Sequence, residues 1–298
     1  MKMKVAAFNA KKLGLRKVKN TYVCKYLIKI ISQYSIVFIL EVMDKTGKAM
    51  ELLLEKLNST KYVSNSGDEY EMVCSSALGR NAYKEKFVCF YRKNEVELTA
   101  LHQYKDNQPG DEDAFAREPL ILRFYCPATV IKDLVLIPVH TQPNDAEKEL
   151  DELCDVVKIM RKKWKNPNIM ILGDFNAAGS YLSKKKKKAI RISHPPFYWI
   201  IGDEVDTTTS PFNDHAYDRI VVYTKKMENA IVPNSAKSFN FKRKFRLSIK
   251  NALRISDHYP VEVELKANRS LVKQRPQKRA KPANYGGRKT PAAKRKRN

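Results

Sequence analysis

Acidic residues are scarce in this chain. Its 298 residues hold 32 Asp and Glu against 57 Lys and Arg, a formal net charge of +25. From Lys266 to Asn298 acids are missing altogether: that stretch carries 13 Lys or Arg and leaves +12 on the rest. A chain basic in both parts points to a polyanionic partner, weighed against a merely solvated surface. Cysteines are few and odd in number. Cys24, Cys74, Cys89, Cys126 and Cys154 follow no metal-binding spacing and sit mostly in apolar stretches. They read as buried free thiols, which suits a reducing compartment and excludes a disulfide scaffold. No apolar run is long enough to cross a membrane. Tyr34 to Val42 is too short and is preceded by Lys25 and Lys29. No secretory leader is expected, because MKMKVAAFNA runs directly into a strand. There is no internal repeat.

What is present is strand after strand. Runs rich in Val, Ile, Phe and Tyr cover Val5–Phe8, Ile36–Val42, Glu71–Ser75, Phe87–Tyr91, Leu120–Tyr125, Leu134–His140, Ile169–Gly173, Ile220–Tyr223 and Val261–Leu265. The clearest helix spans Asn144–Trp164, where Leu150, Leu153, Val157, Met160 and Trp164 recur at helical spacing and Asn144 can cap the start. Weaker helical patterns cover Tyr22–Ser32 and Lys48–Asn58. At 43% hydrophobic the chain can build one large core. A sandwich of mixed sheets with outer helices fits these elements better than an all-parallel sheet. The pattern stops at Leu265, so residues 1–265 read as the catalytic domain and 266–298 as a disordered basic tail. Its end, Lys294-Arg295-Lys296-Arg297, suits nuclear import or nucleic-acid attachment. Lys184–Lys188 is a second lysine run, read as a solvated helix start or as a DNA-backbone or import element.

Several strands end in an acid, an amide or a histidine. GDFN offers Asp174 and Asn176 on one side of an extended segment, an acid and an amide suited to a hard cation and a phosphate oxygen, or else a turn cap. Glu41 closes IVFILEV, and a carboxylate there is costly without a partner such as a metal, unless it lies in solvent. Asn9 ends the first strand in the same way and could orient Glu41, touch phosphate or simply turn the chain. His140 follows VLIPV, and His258 stands beside Asp257. A lone strand-end histidine is commonly structural, but each has a spare acid available, Glu85 or Asp218. Two His–acid pairs would supply a general acid and a general base. Carboxylates around a divalent cation with two such pairs suit phosphodiester hydrolysis.

The ordered segments AAFN, ILEV, LGRNAYKEKF (Leu78–Phe87), AREP (Ala116–Pro119), PVHT, GDFNA, AYDRIVV and SDHYPVEV resemble the deoxyribonuclease I family, within the endonuclease/exonuclease/phosphatase superfamily. The resemblance covers roughly residues 3–265. GDFN and SDH point only to the superfamily; LGRNAYKE and REP narrow it. IIGDEVDTT, HTQP and the basic tail are most like the deoxyribonuclease gamma branch.

The resemblance implies a four-layered α/β sandwich of two packed mixed sheets with outer helices. It implies a monomeric Mg²⁺- or Mn²⁺-dependent endonuclease on double-stranded DNA, naked or in chromatin, leaving 5′-phosphate and 3′-hydroxyl ends. His140 would pair with Glu85 and His258 with Asp218, with either pair as acid or base. Glu41, Asp174 and Asp257 would surround the cation, and Asn9 and Asn176 would flank the phosphate. Arg80, Asn81, Tyr83 and Arg117 would contact DNA backbone or minor groove, and Ca²⁺ sites would map to Asp106, Asp113, Asp206 and Thr208. Three departures stand out. Gly179 and His215 occupy the positions of a family disulfide, Met43 replaces a basic residue, and the leader is absent. A nuclear or cytoplasmic enzyme, reached through the import machinery, is therefore expected, or a secreted one if a leader was trimmed. Two rival functions remain at this point: a phosphoinositide phosphatase-like hydrolase, and an inactive DNA-binding module.

Overall fold

The computed structural model describes residues 2–64, 67–107 and 113–268. Its strands, in chain order, are β1 (Met3–Leu13), β2 (Ile36–Val42), β3 (Tyr70–Cys74), β4 (Lys86–Arg92), β5 (Glu97–Gln103), β6 (Leu120–Tyr125), β7 (Asp133–His140), β8 (Ile169–Asp174), β9 (Phe197–Trp199), β10 (Asp218–Tyr223), β11 (Lys237–Ser238) and β12 (Val261–Leu265). The helices are α1 (Leu15–Lys19), α2 (Thr21–Ile31), α3 (Lys48–Asn58), α4 (Lys61–Ser64), α5 (Ala146–Trp164), α6 (Lys184–Ala189), α7 (Lys225–Asn229), α8 (Phe241–Lys244) and α9 (Ile249–Ile255). The strands form two six-stranded sheets, ordered β11-β12-β1-β2-β4-β3 and β5-β6-β7-β8-β10-β9. Both are mixed. β1 runs parallel to β2 and antiparallel to β12, and β7 runs parallel to β8, which is antiparallel to β10.

Period-two alternation decides the layers. Val5 and Ala7 of β1 join Met170 and Leu172 of β8 in the core between the sheets. Ala6 and Phe8 face the other way, onto α2 and α3 through Leu27, Ile31, Met50 and Leu53. Ile169 and Ile171 face α5 through Leu150, Leu153, Val157 and Met160. The result is helix, sheet, sheet, helix, as the sequence implied. Edge strands β9 and β11 are only three and two residues long and β5 is exposed or half-buried throughout, and the sequence reading passed over all three. α5 starts later than expected. A 3₁₀ turn occupies Pro143–Asp145, and the cap position falls on Asp145, with no side-chain cap bond, rather than on Asn144.

The compact unit extends to Asn268. The Lys266 amide donates to Ala230 O at 2.8 Å and the Asn268 amide to Ala128 O at 2.8 Å. Residues 269–298, which hold most of the basic tail and its terminal cluster, lie outside the described residues.

Candidate active site

Strand register places the first three groups. His140 is level with Asp174 on the parallel β7–β8 pair, and Asp218 is level with Asp174 on the antiparallel β8–β10 pair. One row across three neighbouring strands therefore carries His, Asp and Asp. The row needs Gly173. Its φ is +142°, and a Cβ there would stand 2.0 Å from Val139 O, so only glycine lets β8 lie this close to β7.

The other sheet supplies the complements. Glu85, just before β4, places Oε1 2.5 Å from His140 Nδ1. His258, just before β12, places Nδ1 2.7 Å from Asp218 Oδ2. Both histidines then present Nε2 to the same atom, Asp174 Oδ2, each at 3.7 Å. Asn9 Nδ2 donates to that oxygen at 3.1 Å, and the Asn176 amide donates to Oδ1 at 3.1 Å. Two hydroxyls that the sequence reading missed hold the frame. Ser256 Oγ donates to Asn9 O at 2.6 Å and accepts from the His258 amide at 3.1 Å. Thr207 Oγ1 accepts from the amides of Tyr217 and Asp218. Their adjacency to SDH and DTT was the available signal.

The electrostatics differ between the pairs. Burial would push the His258 imidazole down, yet Asp218 and Asp174 outweigh it and raise it to about 10. Burial pushes Asp218 up to about 6 against the pull of His258. Both shifts mean that the pair keeps its proton through neutral pH. His140 is also raised: burial opposes the rise, Glu85 and Asp174 drive it, and Arg117 subtracts from it. For Asp174, burial is outweighed by the two imidazoles and the Asn176 and Asn9 amides, which hold it low.

Among the described residues, one group of acids and histidines already gathers three ligand atoms within 4.8 Å of one another: Asp174, Asp218 and His258. Glu41 and Asp257 stand outside it, each engaged. Tyr83 Oη donates to Glu41 Oε1 at 2.8 Å, and Lys11 Nζ lies 2.5 Å from Asp257 Oδ2. Lys17 is drawn by both of these acids while burial lowers it to about 8, and its Nζ donates to Ala10 O, Lys11 O and Ile255 O. Neither lysine was anticipated, although both follow Asn9 closely. Asp218 Oδ1 and Glu85 Oε2 are buried without a hydrogen-bond partner, a cost unless a ligand meets them.

The expected DNA contacts line one cavity but have different protein partners. Arg117 lies inside the site, its Nε on Glu85 and NH1 donating to His140 O at 3.2 Å. Arg80 is bound to Asp113 and Asp145, at 2.8 and 2.9 Å. Asn81 Oδ1 accepts from the Tyr83 amide at 2.9 Å. A cavity of about 500 Å³ joins Glu41, Arg80, Asn81, Tyr83, Glu85, Arg117 and His140. Two larger grooves are lined by neither His140 nor His258, so volume does not locate the chemistry. Of the residues mapped to calcium, Asp206 Oδ1 accepts from Thr208 N and Oγ1. Asp106 Oδ2 accepts from the Phe115 amide, and Asp113 is held by Arg80. Gly179 and His215 are in contact: a Cβ on Gly179 would meet His215 Nε2 at 3.1 Å. All five cysteines are free.

The sequence signature of the Endonuclease/Exonuclease/phosphatase family matches residues 6–258. Deoxyribonuclease gamma of Rattus norvegicus is 39% identical over 276 residues, 92% of this chain and 88% of that protein. Deoxyribonuclease-1 of Oryctolagus cuniculus is 41% identical over 265 residues, 88% of this chain and 92% of that protein. Among solved structures, the human Nocturnin catalytic domain with bound sulfate superposes with a TM-score of 0.58 at 14% identity, covering 90% of this chain and 95% of that one. That likeness speaks for the fold alone.

Proposed function

The chain belongs to the Endonuclease/Exonuclease/phosphatase family and to the deoxyribonucleases within it, and from that premise we propose how its residues cut double-stranded DNA. The observation that carries the reading is the convergence of two imidazole Nε2 atoms on one carboxylate oxygen, each at 3.7 Å, with an acid behind each ring. Two tautomer-fixed imidazoles facing one point suit in-line displacement at a phosphate, where one side of the phosphorus gains an oxygen and the other loses one. His258, kept protonated by two acids, is the proton donor to the leaving 3′ oxygen. His140, whose rise Arg117 opposes, takes the proton from the attacking water. The products are a 5′-phosphate and a 3′-hydroxyl. Asn9 and Asn176 orient Asp174 and offer amide donors beside the phosphate.

The donor set fits a hard divalent cation, Mg²⁺ or Mn²⁺, because Asp174, Glu41 and Asp257 all offer carboxylate oxygens. We assign Asp218 and His258, joined by their 2.7 Å bond, to proton transfer rather than to the ion. Asp174, Glu41 and Asp257 would hold the ion, which when bound offsets charge on the phosphate oxygens. Ca²⁺ near Asp106, Asp113, Asp206 and Thr208 would be structural. Free cysteines and the basic tail support a nuclear or cytoplasmic enzyme that acts on chromatin as well as naked DNA. Arg80, Asn81 and Tyr83 line the cavity mouth and would meet the duplex backbone.

Plasmid nicking with and without chelator tests the reading, beside a phosphoinositide substrate. Nicking that persists in chelator would remove the cation, and phosphoinositide turnover without nicking would overturn the substrate. Because Lys266–Asn268 pair with the domain, truncation belongs after Asn268. That protein, fused to a marker too large to diffuse into nuclei, should keep nicking short DNA and lose nuclear accumulation.

A further inference from the structure

α6 is a short helix with five consecutive lysines, and two of them are spoken for. Lys186 pairs with Glu147 at 3.1 Å. Lys187 pairs with Asp203 at 2.5 Å, and its Nζ lies 4.2 Å over the Trp199 ring. Lys184, Lys185 and Lys188 are exposed and have no acid partner among the described residues. Lys184 and Lys188, four apart, repel each other on one face of a six-residue helix. A helix this short with this charge is anchored by Lys187, Trp199 and the Ser183 cap, not by its own propensity.

The anchor ties the lysines to the catalytic end. The ring of Trp199 packs edge-on to Phe175 at 5.6 Å, and Phe175 lies between Asp174 and Asn176. Asp203 also pairs with buried Arg219 at 2.7 Å, and Arg219 holds Ala177 O and Ala216 O. A groove of about 440 Å³ starts at Ala177 beside Asn176 and reaches Lys184. There it meets a second groove, of about 630 Å³, lined by Lys184, Lys187 and Lys188 with Tyr198 and Trp199.

We propose that Lys184, Lys185 and Lys188 bind phosphates of the DNA duplex beyond the cleavage point, so that α6 extends the track that begins at Asn176. This rests on the deoxyribonuclease reading and adds to it a second, distant backbone contact. Lysines act there as mobile point charges and set affinity and salt dependence without reading sequence.

The test compares the full chain with K184Q/K185Q/K188Q, which keeps Lys186 and Lys187. Binding to a duplex of about 30 base pairs, roughly 100 Å at 3.4 Å per step, is measured in chelator across a salt series. Each lost contact lowers the log–log salt slope by about 0.9, so the triple variant should lose about 2 to 3. Nicking at low salt should stay within about twofold, because no proposed catalytic group changes. The single variants should each lower the slope by about 0.9, which keeps the test decisive if the triple variant folds poorly. An unchanged slope with an unchanged circular dichroism spectrum would overturn the proposal. So would an unchanged slope with lost nuclear accumulation, which would assign the run to an import receptor. Absence of nicking by the wild-type protein would instead overturn the deoxyribonuclease reading and leave the slope comparison standing.

Discussion

The two His–acid pairs are built alike and tuned differently. In each, one sheet gives the acid and the other the histidine, with the roles exchanged: Glu85 before β4 meets His140 on β7, and Asp218 on β10 meets His258 before β12. Each ring turns Nδ1 to its acid and Nε2 to Asp174. The difference is the third party. Glu85 is shared with the guanidinium of Arg117, which opposes the rise of His140. His258 is lifted by Asp218, Asp174 and Asp257 against burial, with no arginine among the main opposing causes, and climbs to about 10. In the mechanism proposed above, this difference assigns His140 as the proton acceptor and His258 as the donor.

The largest effect should come from removing the common element or either ring. His140→Ala and His258→Ala should each lose at least about 10²-fold in turnover, and Asp174→Asn, which both rings face, at least as much. Wild-type-like nicking by either histidine variant would take that pair out of the mechanism. Arg117→Gln should sharpen the contrast between the pairs. It frees Glu85 and the His140 carbonyl, so turnover should fall about 10- to 10²-fold. With the opposing cation gone His140 rises further, and the acid limb of the rate profile should move to higher pH. A limb that moves down, or not at all, would dissociate Arg117 from His140.

A smaller effect concerns stability. The folded pKa of His258 is raised from 6.5 to about 10, so its contribution is fully present below pH 6.5 and is lost as pH rises through about 10. The melting-temperature gap between wild type and His258→Gln should therefore close across that window. A gap that widens with pH would reverse the sign assigned to Asp218 and Asp174. The smallest effect should be none at all. Thiol reductant should leave activity and melting temperature unchanged, since Gly179 and His215 meet without sulfur and the five cysteines are free. A large loss would reveal a cysteine pair that matters.

By itself the sequence determined nine of the twelve strands, the sandwich architecture and the chemical inventory. Apolar alternation is a local signal, and the acids, amides and histidines end strands whose boundaries that signal marks. Thus Asp174, Asp218, His140 and His258 could be named before any fold was seen. Tertiary structure alone decided which atoms meet. It put His140, Asp174 and Asp218 in one row, because register is set by pairing across the sheet and by the missing Cβ of Gly173. It drew Arg117 into the site and turned Arg80 toward Asp113 and Asp145, since a long guanidinium goes where the nearest carboxylates are. It also brought Lys11 and Lys17 to Asp257 and Ile255, some 240 residues away along the chain. Spacing cannot report such partners, because Coulomb attraction depends on separation in space and not on distance along the backbone.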